Sequence, residues 1–261
     1  MENISLILSD LDGTLFHDNK SISDYSKTMI ARAQKKGVKF GVCTARARVN
    51  AIKFLDGLNP DFYITNGGGL VTLNSDSNGK YEKLYTCEFS IQEIRTLIDA
   101  AFKTCGPDIN ISVDNESGVY CNTKEELSDR FWIYNDFSDF NQTGMKFCME
   151  TLDIEKVRKV ASTVGIENID YLPFSDIPWY KLSKKNATKE KAIEVLCNFL
   201  KIQPSRIAAF GDDFNDIGML KLCGKGIAMK NAISEVREIA DEVCGSNEED
   251  GVAKWIENNI L

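Results

Sequence analysis

Histidine is almost missing from the 261 residues, His17 being the only one. A His/Cys zinc site or a histidine-dependent triad therefore has little to build from. His17 itself, in a polar, turn-like stretch, reads as a solvated loop residue. The eight cysteines stand singly, with no Cys-x-x-Cys pair. They read as reduced, mostly core thiols of a cytoplasmic protein and not as a disulfide framework. Basic residues do not dominate: 31 Lys and Arg face 39 Asp and Glu, a net charge of −8, and no stretch concentrates the positive ones. Nucleic acid and anionic membrane are poor partners for such a chain, and nothing points to an obligate protein partner. No apolar run reaches the ~18 residues of a membrane helix. The N-terminus enters a strand without a basic and then apolar leader, so neither a span nor export is expected. With 43% hydrophobic residues the chain can fill one large core or two smaller ones.

The stretch that organises the rest is Asp10-Leu11-Asp12-Gly13-Thr14, directly behind the apolar run 4–8. A short apolar run ended by a charge and then Gly reads as a buried strand feeding a tight loop. Both carboxylates then sit at the carboxyl end of a strand, the edge where open α/β sheets bind ligands. Two acids crowded there suit a divalent cation, a nucleophile paired with a general acid, or both.

The pattern onward is strand, helix, strand, helix. Ser23 caps a helix running to Gly37; residues 38–43 form a strand ending at Thr44; a helical spacing covers 46–55; residues 62–65 form a third strand before Asn66-Gly67-Gly68-Gly69. The rhythm then changes. Residues 70–73 and 81–89, joined through 74–79, read as a hairpin; Ser90 caps a helix to about Cys105; strands follow at 109–113, 118–122, 145–150 and 169–174, with a helix over 153–164. From Thr188 the alternation resumes with a helix over 188–200, a strand over 206–210, a helix over 213–222, a strand over 226–229, and helices over 232–240 and 248–258. The expected fold is α/β: a Rossmann-like doubly wound parallel sheet core, residues 1–78 and 184–261, with an inserted α+β domain at 79–183.

A second acidic loop, Gly211-Asp212-Asp213-Phe214-Asn215-Asp216, follows its own buried strand. If the two strands are neighbours, four or five carboxylates converge on one edge, which calls for a cation with all-oxygen ligation such as Mg²⁺. Thr44, at the same edge, offers a hydroxyl and the amide of Ala45 to a phosphoryl oxygen, or simply caps a helix. Lys189 opens a helix, where a cation opposes the helix dipole and needs a negative partner if it is not merely solvated.

Together, Asp10-Leu11-Asp12-Gly13-Thr14-Leu15, Thr44, Lys189 and the stretch from Gly211 to Leu220 resemble the four motifs of the haloacid dehalogenase superfamily of phosphotransferases. Asn66-Gly67-Gly68, Glu249-Asp250-Gly251-Val252-Ala253 and the insertion between Thr44 and Lys189 resemble its Cof-type branch, which carries a C2B α/β cap. Thr44-Ala45-Arg46 stands where that branch usually has Thr-Gly-Arg, and Thr188-Lys189-Glu190 where it has Ser-Lys-Gly. The resemblance implies a Mg²⁺-dependent phosphatase acting on a small phosphorylated metabolite, a sugar phosphate first, through an aspartyl-phosphate. In that scheme Asp10 is the nucleophile, and Asp12 is the general acid and base, its pKa held up by acidic neighbours. The scheme gives Mg²⁺ to Asp10, the Asp12 carbonyl and Asp212, supported by Asp216 or Asp213. Thr44, Lys189 and Asn215, with the backbone at Leu11, Gly13 and Ala45, bind phosphoryl oxygens. Trp132, Tyr134, Trp179 and Tyr180 are candidates to contact substrate or to pack within the cap. The rivals are a phosphomutase and a non-catalytic phosphoacceptor module; a pure acceptor has no use for a second acid at Asp12.

Overall fold

A computed structural model describes residues 4–74, 81–124, 131–174 and 177–261. Strand β1 (Leu6–Ser9) is buried along its whole length. Helix α1 (Asp24–Lys35) starts where Ser23 accepts a hydrogen bond from the Ser26 amide. Strand β2 (Lys39–Cys43) leads to α2 (Arg48–Ile52), shorter than the helix expected over 46–55. Its start is delayed because Thr44 Oγ1 accepts from the Arg46 amide and Ala47 stays extended, freeing Arg46 to reach back toward Asp12. Strands β3 (Phe62–Thr65), β4 (Leu70–Asn74) and β5 (Tyr81–Thr86) complete this part.

The middle of the chain gives α3 (Ile91–Cys105), β6 (Ile111–Asp114), β7 (Val119–Cys121), β8 (Ile133–Tyr134), β9 (Lys146–Glu150), α4 (Ile154–Ala161), β10 (Ile169–Pro173) and β11 (Trp179–Lys184). The last part adds α5 (Lys189–Leu200), β12 (Ile207–Gly211), α6 (Ile217–Leu222), β13 (Lys225–Ala228), α7 (Ser234–Ile239), β14 (Glu242–Val243) and α8 (Gly251–Asn259).

Two sheets result. The large one runs β14-β13-β12-β1-β2-β3-β4-β5, parallel from β14 to β3 and antiparallel through β4 and β5. The first and last thirds of the chain thus share one sheet and one core. The expected border at 79 falls inside its terminal hairpin, because β5 pairs with β4 along five positions; the hairpin turn itself, from 75 to 80, lies outside the described residues. The small sheet runs β10-β11-β9-β6-β7-β8. Helix α3, closed by a Ser90–Glu93 capping box, and α4 bury Ile94, Leu97 and Val157 against Phe147, Met149 and Leu182 on one face of it. Alternation sends Ser112, Asp114, Lys146, Cys148 and Lys181 to the other face. Strand β11 is absent from the sequence expectation, although Tyr180-Lys181-Leu182-Ser183 carries the apolar–polar alternation of a strand. The chain leaves the large sheet after β5 and returns before α5, and Tyr85 Oη donates to the Asn186 carbonyl at 2.8 Å, so exit and return lie side by side.

One glycine governs how the parts meet. Gly68 has φ +103°, and a Cβ there would lie 2.1 Å from the Thr188 carbonyl oxygen, the backbone that starts α5. Gly37 also has positive φ (+86°) but open space around it. Gly37→Ala should therefore cost about 1 kcal/mol, the backbone penalty alone, whereas Gly68→Ala should cost at least about 3 kcal/mol, since backbone must also move. Urea unfolding of both variants checks this, and equal costs would show that the contact with α5 yields freely.

Candidate active site

Chain connections run outward in opposite directions from β1 and β12, which are neighbours in the sheet. Such a switch point opens a crevice at the carboxyl ends of the strands. Asp10 follows β1, Thr44 follows β2 and Asp212 follows β12, so the three loops picked out in the sequence meet there, and all three residues line one cavity of about 510 Å³. Gly13 (φ +69°) turns the first loop so tightly that a Cβ would lie 2.3 Å from Asp212 Oδ2. Thr14 Oγ1 donates to Asp212 Oδ1 at 2.7 Å and locks the two acidic loops together.

Lys189 supplies the centre. Its Nζ, buried with the residue 3% exposed, lies 2.8 Å from Asp10 Oδ1 and 2.6 Å from Asp216 Oδ1. Burial pushes its pKa down, but the charges of Asp10 and Asp216 outweigh that and hold it well above the usual lysine value. These carboxylates are the negative partners that a lysine at a helix start requires. Burial pushes Asp10 up, against Lys189, and Asp216 and Asp212 add to the rise. Asp212 is pushed up to about 7 by burial and by Asp216.

Oxygens of Asp10, Asp212 and Asp216 lie within 4.8 Å of one another. Three carboxylates against one ammonium leave excess negative charge, and an all-oxygen donor set matches a hard divalent cation. Both Asp216 oxygens are occupied: Oδ1 by Lys189, Oδ2 by the amides of Asp212 and Asp213. Asp10 and Asp212 each keep one oxygen without a hydrogen-bond partner among the described residues, so those two can face a cation while Asp216 braces the loop. Asp213 stays outside this cluster, its Oδ1 accepting from the Phe214 amide.

Asp12 departs from expectation. Its carboxylate turns away from the acidic cluster and accepts a bidentate pair from Arg46, Nε at 2.5 Å and Nη2 at 2.7 Å, plus Lys20 Nζ at 2.9 Å. Burial pushes its pKa up, but Arg46 and then Lys20 outweigh it and hold the group down at about 2. Acidic neighbours therefore do not raise Asp12 in this state. Arg46 is itself held by the rings of Phe54 and Phe16. His17 is likewise no free loop residue: its Nε2 sits 3.2 Å from Asp250, which also accepts from Ser23 and Ser26.

Thr44, Ala45, Gly13, Asn215 and Lys189 line the cavity, whereas the Leu11 side chain packs in the large core. Sequence reasoning missed the far wall. Asn110, Ser112, Asp114, Lys146, Cys148 and Glu150 present the polar face of β6 and β9, and Trp132 and Trp179 flank it; Tyr134 and Tyr180 are not among the lining residues. Lys146 pairs with Asp114 at 2.6 Å and donates to the Ala45 carbonyl at 3.2 Å, and Lys181 Nζ donates to Asn215 Oδ1 at 3.0 Å. The only signal for these lysines was polar alternation within strands. All eight cysteines are free, five of them buried, and no helix among the described residues is long and apolar enough to cross a membrane.

A family profile described as haloacid dehalogenase-like hydrolase matches residues 7–256. Phosphatase YwpJ of Bacillus subtilis is 26% identical, the match covering 98% of this chain and 99% of that one. The 5-amino-6-(5-phospho-D-ribitylamino)uracil phosphatase YitU of the same organism is 26% identical, with 96% of each covered. A haloacid dehalogenase-like hydrolase from Bacteroides thetaiotaomicron has a similar fold, with TM-score 0.81 at 22% identity over 98% of this chain and 99% of that one.

Two expectations test the electrostatics. Lys189→Met strands two buried carboxylates and should cost about 3–5 kcal/mol in urea unfolding with chelator present; a loss below about 1 kcal/mol would mean the triad is not energetically coupled. Asp12, with a pKa of about 2 against a usual 3.8, contributes stability that is fully present above the usual value and lost as pH falls through 2. Arg46→Met should thus lose stability relative to wild type near neutral pH, and the gap should close towards pH 2. A gap independent of pH would assign the loss to packing on Phe54 instead.

Proposed function

The chain belongs to the haloacid dehalogenase-like hydrolases and is a phosphoric monoester hydrolase, and we propose that it is a Mg²⁺-dependent phosphatase of a small sugar-like phosphate, working through an aspartyl-phosphate on Asp10. The observation that carries this reading is the buried Lys189 bridge between Asp10 and Asp216, all three residues lining a cavity large enough for a phosphorylated sugar. The polar far wall flanked by Trp132 and Trp179 suits a polyhydroxylated leaving group, as hydroxyls need partners and sugar faces pack on aromatic rings. YitU, by its name, acts on a phosphorylated ribityl compound, which supports the same class.

In the mechanism we propose, Asp10 attacks phosphorus: an Asp10 oxygen–phosphorus bond forms as the bond to the leaving oxygen breaks. Thr44, Asn215, the Ala45 amide and Lys189 hold the equatorial oxygens, and Lys189 offsets charge that grows on them. Asp12 gives its proton to the leaving oxygen and then takes one from the water that splits the aspartyl-phosphate. In the free protein Asp12 is an ionised carboxylate, so it must gain that proton with substrate bound. The dianionic phosphoryl group, entering beside Arg46 and Lys20, competes for both cations and raises Asp12 towards the protonated form. Asp10 and Asp212 would hold Mg²⁺, together with the Asp12 carbonyl, with Asp216 behind them. When bound, the ion supplies Lewis-acid withdrawal of charge from the phosphoryl oxygens. The unit built on the small sheet acts as the cap that excludes bulk water.

Phosphate release over a panel of phosphorylated sugars, polyols and nucleotides, with Mg²⁺ and with chelator, tests the reading. Release should require Mg²⁺, favour sugar and polyol phosphates, and fall at least about a thousand-fold in Asp10→Asn. Wild-type turnover in that variant would remove the nucleophile assignment, and undiminished turnover in chelator would remove the metal.

A further inference from the structure

Lys181 is a buried cation that the mechanism above leaves unused. It stands on β11, opposite Cys148 of β9, on the face of the small sheet turned towards the large one. The residue is 7% exposed. Among the described residues its Nζ has a single acceptor, Asn215 Oδ1, and no carboxylate within ion-pairing distance. Burial, reinforced by the charges of Lys146 and Lys189, pushes its pKa down to about 8. A cation held there beside a neutral amide is costly to keep.

What the contact achieves follows from donor chemistry. An ammonium group donates and never accepts. Whatever faces Lys181 must therefore be the oxygen of the Asn215 amide, however the two amide atoms are assigned. The amide nitrogen, which has no partner among the described residues, is left for the cavity that Asn215 lines with Asp10, Thr44 and Lys189. Turned by half a rotation, the same side chain would show a phosphate dianion an oxygen, which repels it. Lys181 belongs to a strand of the small sheet and Asn215 to the turn after β12 of the large one, so this orientation exists only while the small sheet sits over that turn.

We propose that Lys181 is a positioning residue that fixes the Asn215 amide with its N–H donors towards the phosphoryl group, so that seating of the inserted unit completes the phosphate site. The proposal rests on the reading of Asn215 as a phosphoryl ligand. It makes phosphate affinity a property of the closed arrangement and not of the large sheet alone.

A double-mutant cycle over Lys181→Met and Asn215→Ala tests it, with p-nitrophenyl phosphate as substrate and inorganic phosphate as product inhibitor. Each variant is first checked by thermal unfolding, and Lys181→Ala repeats the test if the Met variant does not fold. Lys181→Met should raise KM and the phosphate inhibition constant together by about ten-fold, the scale of one lost hydrogen bond, with a smaller fall in kcat. It should add nothing in the Asn215→Ala background, and Lys181→Arg, still a pure donor, should recover part of the loss. Additive effects, or an unchanged inhibition constant in Lys181→Met where Asn215→Ala raises it, overturn the proposal and leave the phosphoryl reading of Asn215 standing. An unchanged constant in Asn215→Ala overturns that reading as well.

Discussion

The structure depends on one buried ammonium group. Lys189 Nζ touches Asp10 at the end of β1 and Asp216 in the turn after β12, and its own backbone begins the helix that follows the insertion. Residues some 180 and 30 positions away in sequence are thus held at a single point. Desolvating three charges is expensive, and only close geometry and further hydrogen bonds offset the cost. Those bonds are present: Asp216 also takes two amides, and Thr14 ties Asp212 to the first loop. Gly68 serves the same end by letting the turn after β3 press against the start of α5.

Around this centre the charges are sorted by neighbour. Asp10 and Asp216 share Lys189, with Asp212 beside them, and burial among like charges pushes Asp10 and Asp212 up, whereas Asp12, two residues from Asp10, is paired by two cations and ionised far below neutrality. Two acids in one pentapeptide therefore sit in opposite electrostatic surroundings, and that difference in surroundings is what separate roles require. The third set of charges, Lys146, Asp114 and Lys181, comes from the small sheet and touches the loops of the large one at Ala45 and Asn215.

Much of this was legible in the sequence, where each signal was local. Asp10-Leu11-Asp12-Gly13-Thr14 and Gly211-Asp212-Asp213 follow apolar runs long enough to be buried strands, and the sheet sets those strands side by side. What stayed hidden depends on partners distant in sequence. The direction in which Asp12 turns is decided by Arg46 and Lys20, and a loop two residues from Asp10 gives no hint of it. Strand β5 reads as part of the insertion because an antiparallel hairpin breaks the α/β alternation, yet its hydrogen bonds belong to the large sheet. In β11, Lys181 and Ser183 read as surface residues because they are polar, yet both are buried, Lys181 against Asn215 in the turn after β12.

The side-by-side exit and return of the inserted unit, bridged by Tyr85 and Asn186, make that unit an insertion joined covalently to the large sheet at one place. Changes of length or sequence within it alter no spacing between β1, β2 and β12. The sequence between exit and return can accordingly be rewritten without breaking the large sheet, so long as the contacts that the unit makes at Ala45 and Asn215 are kept.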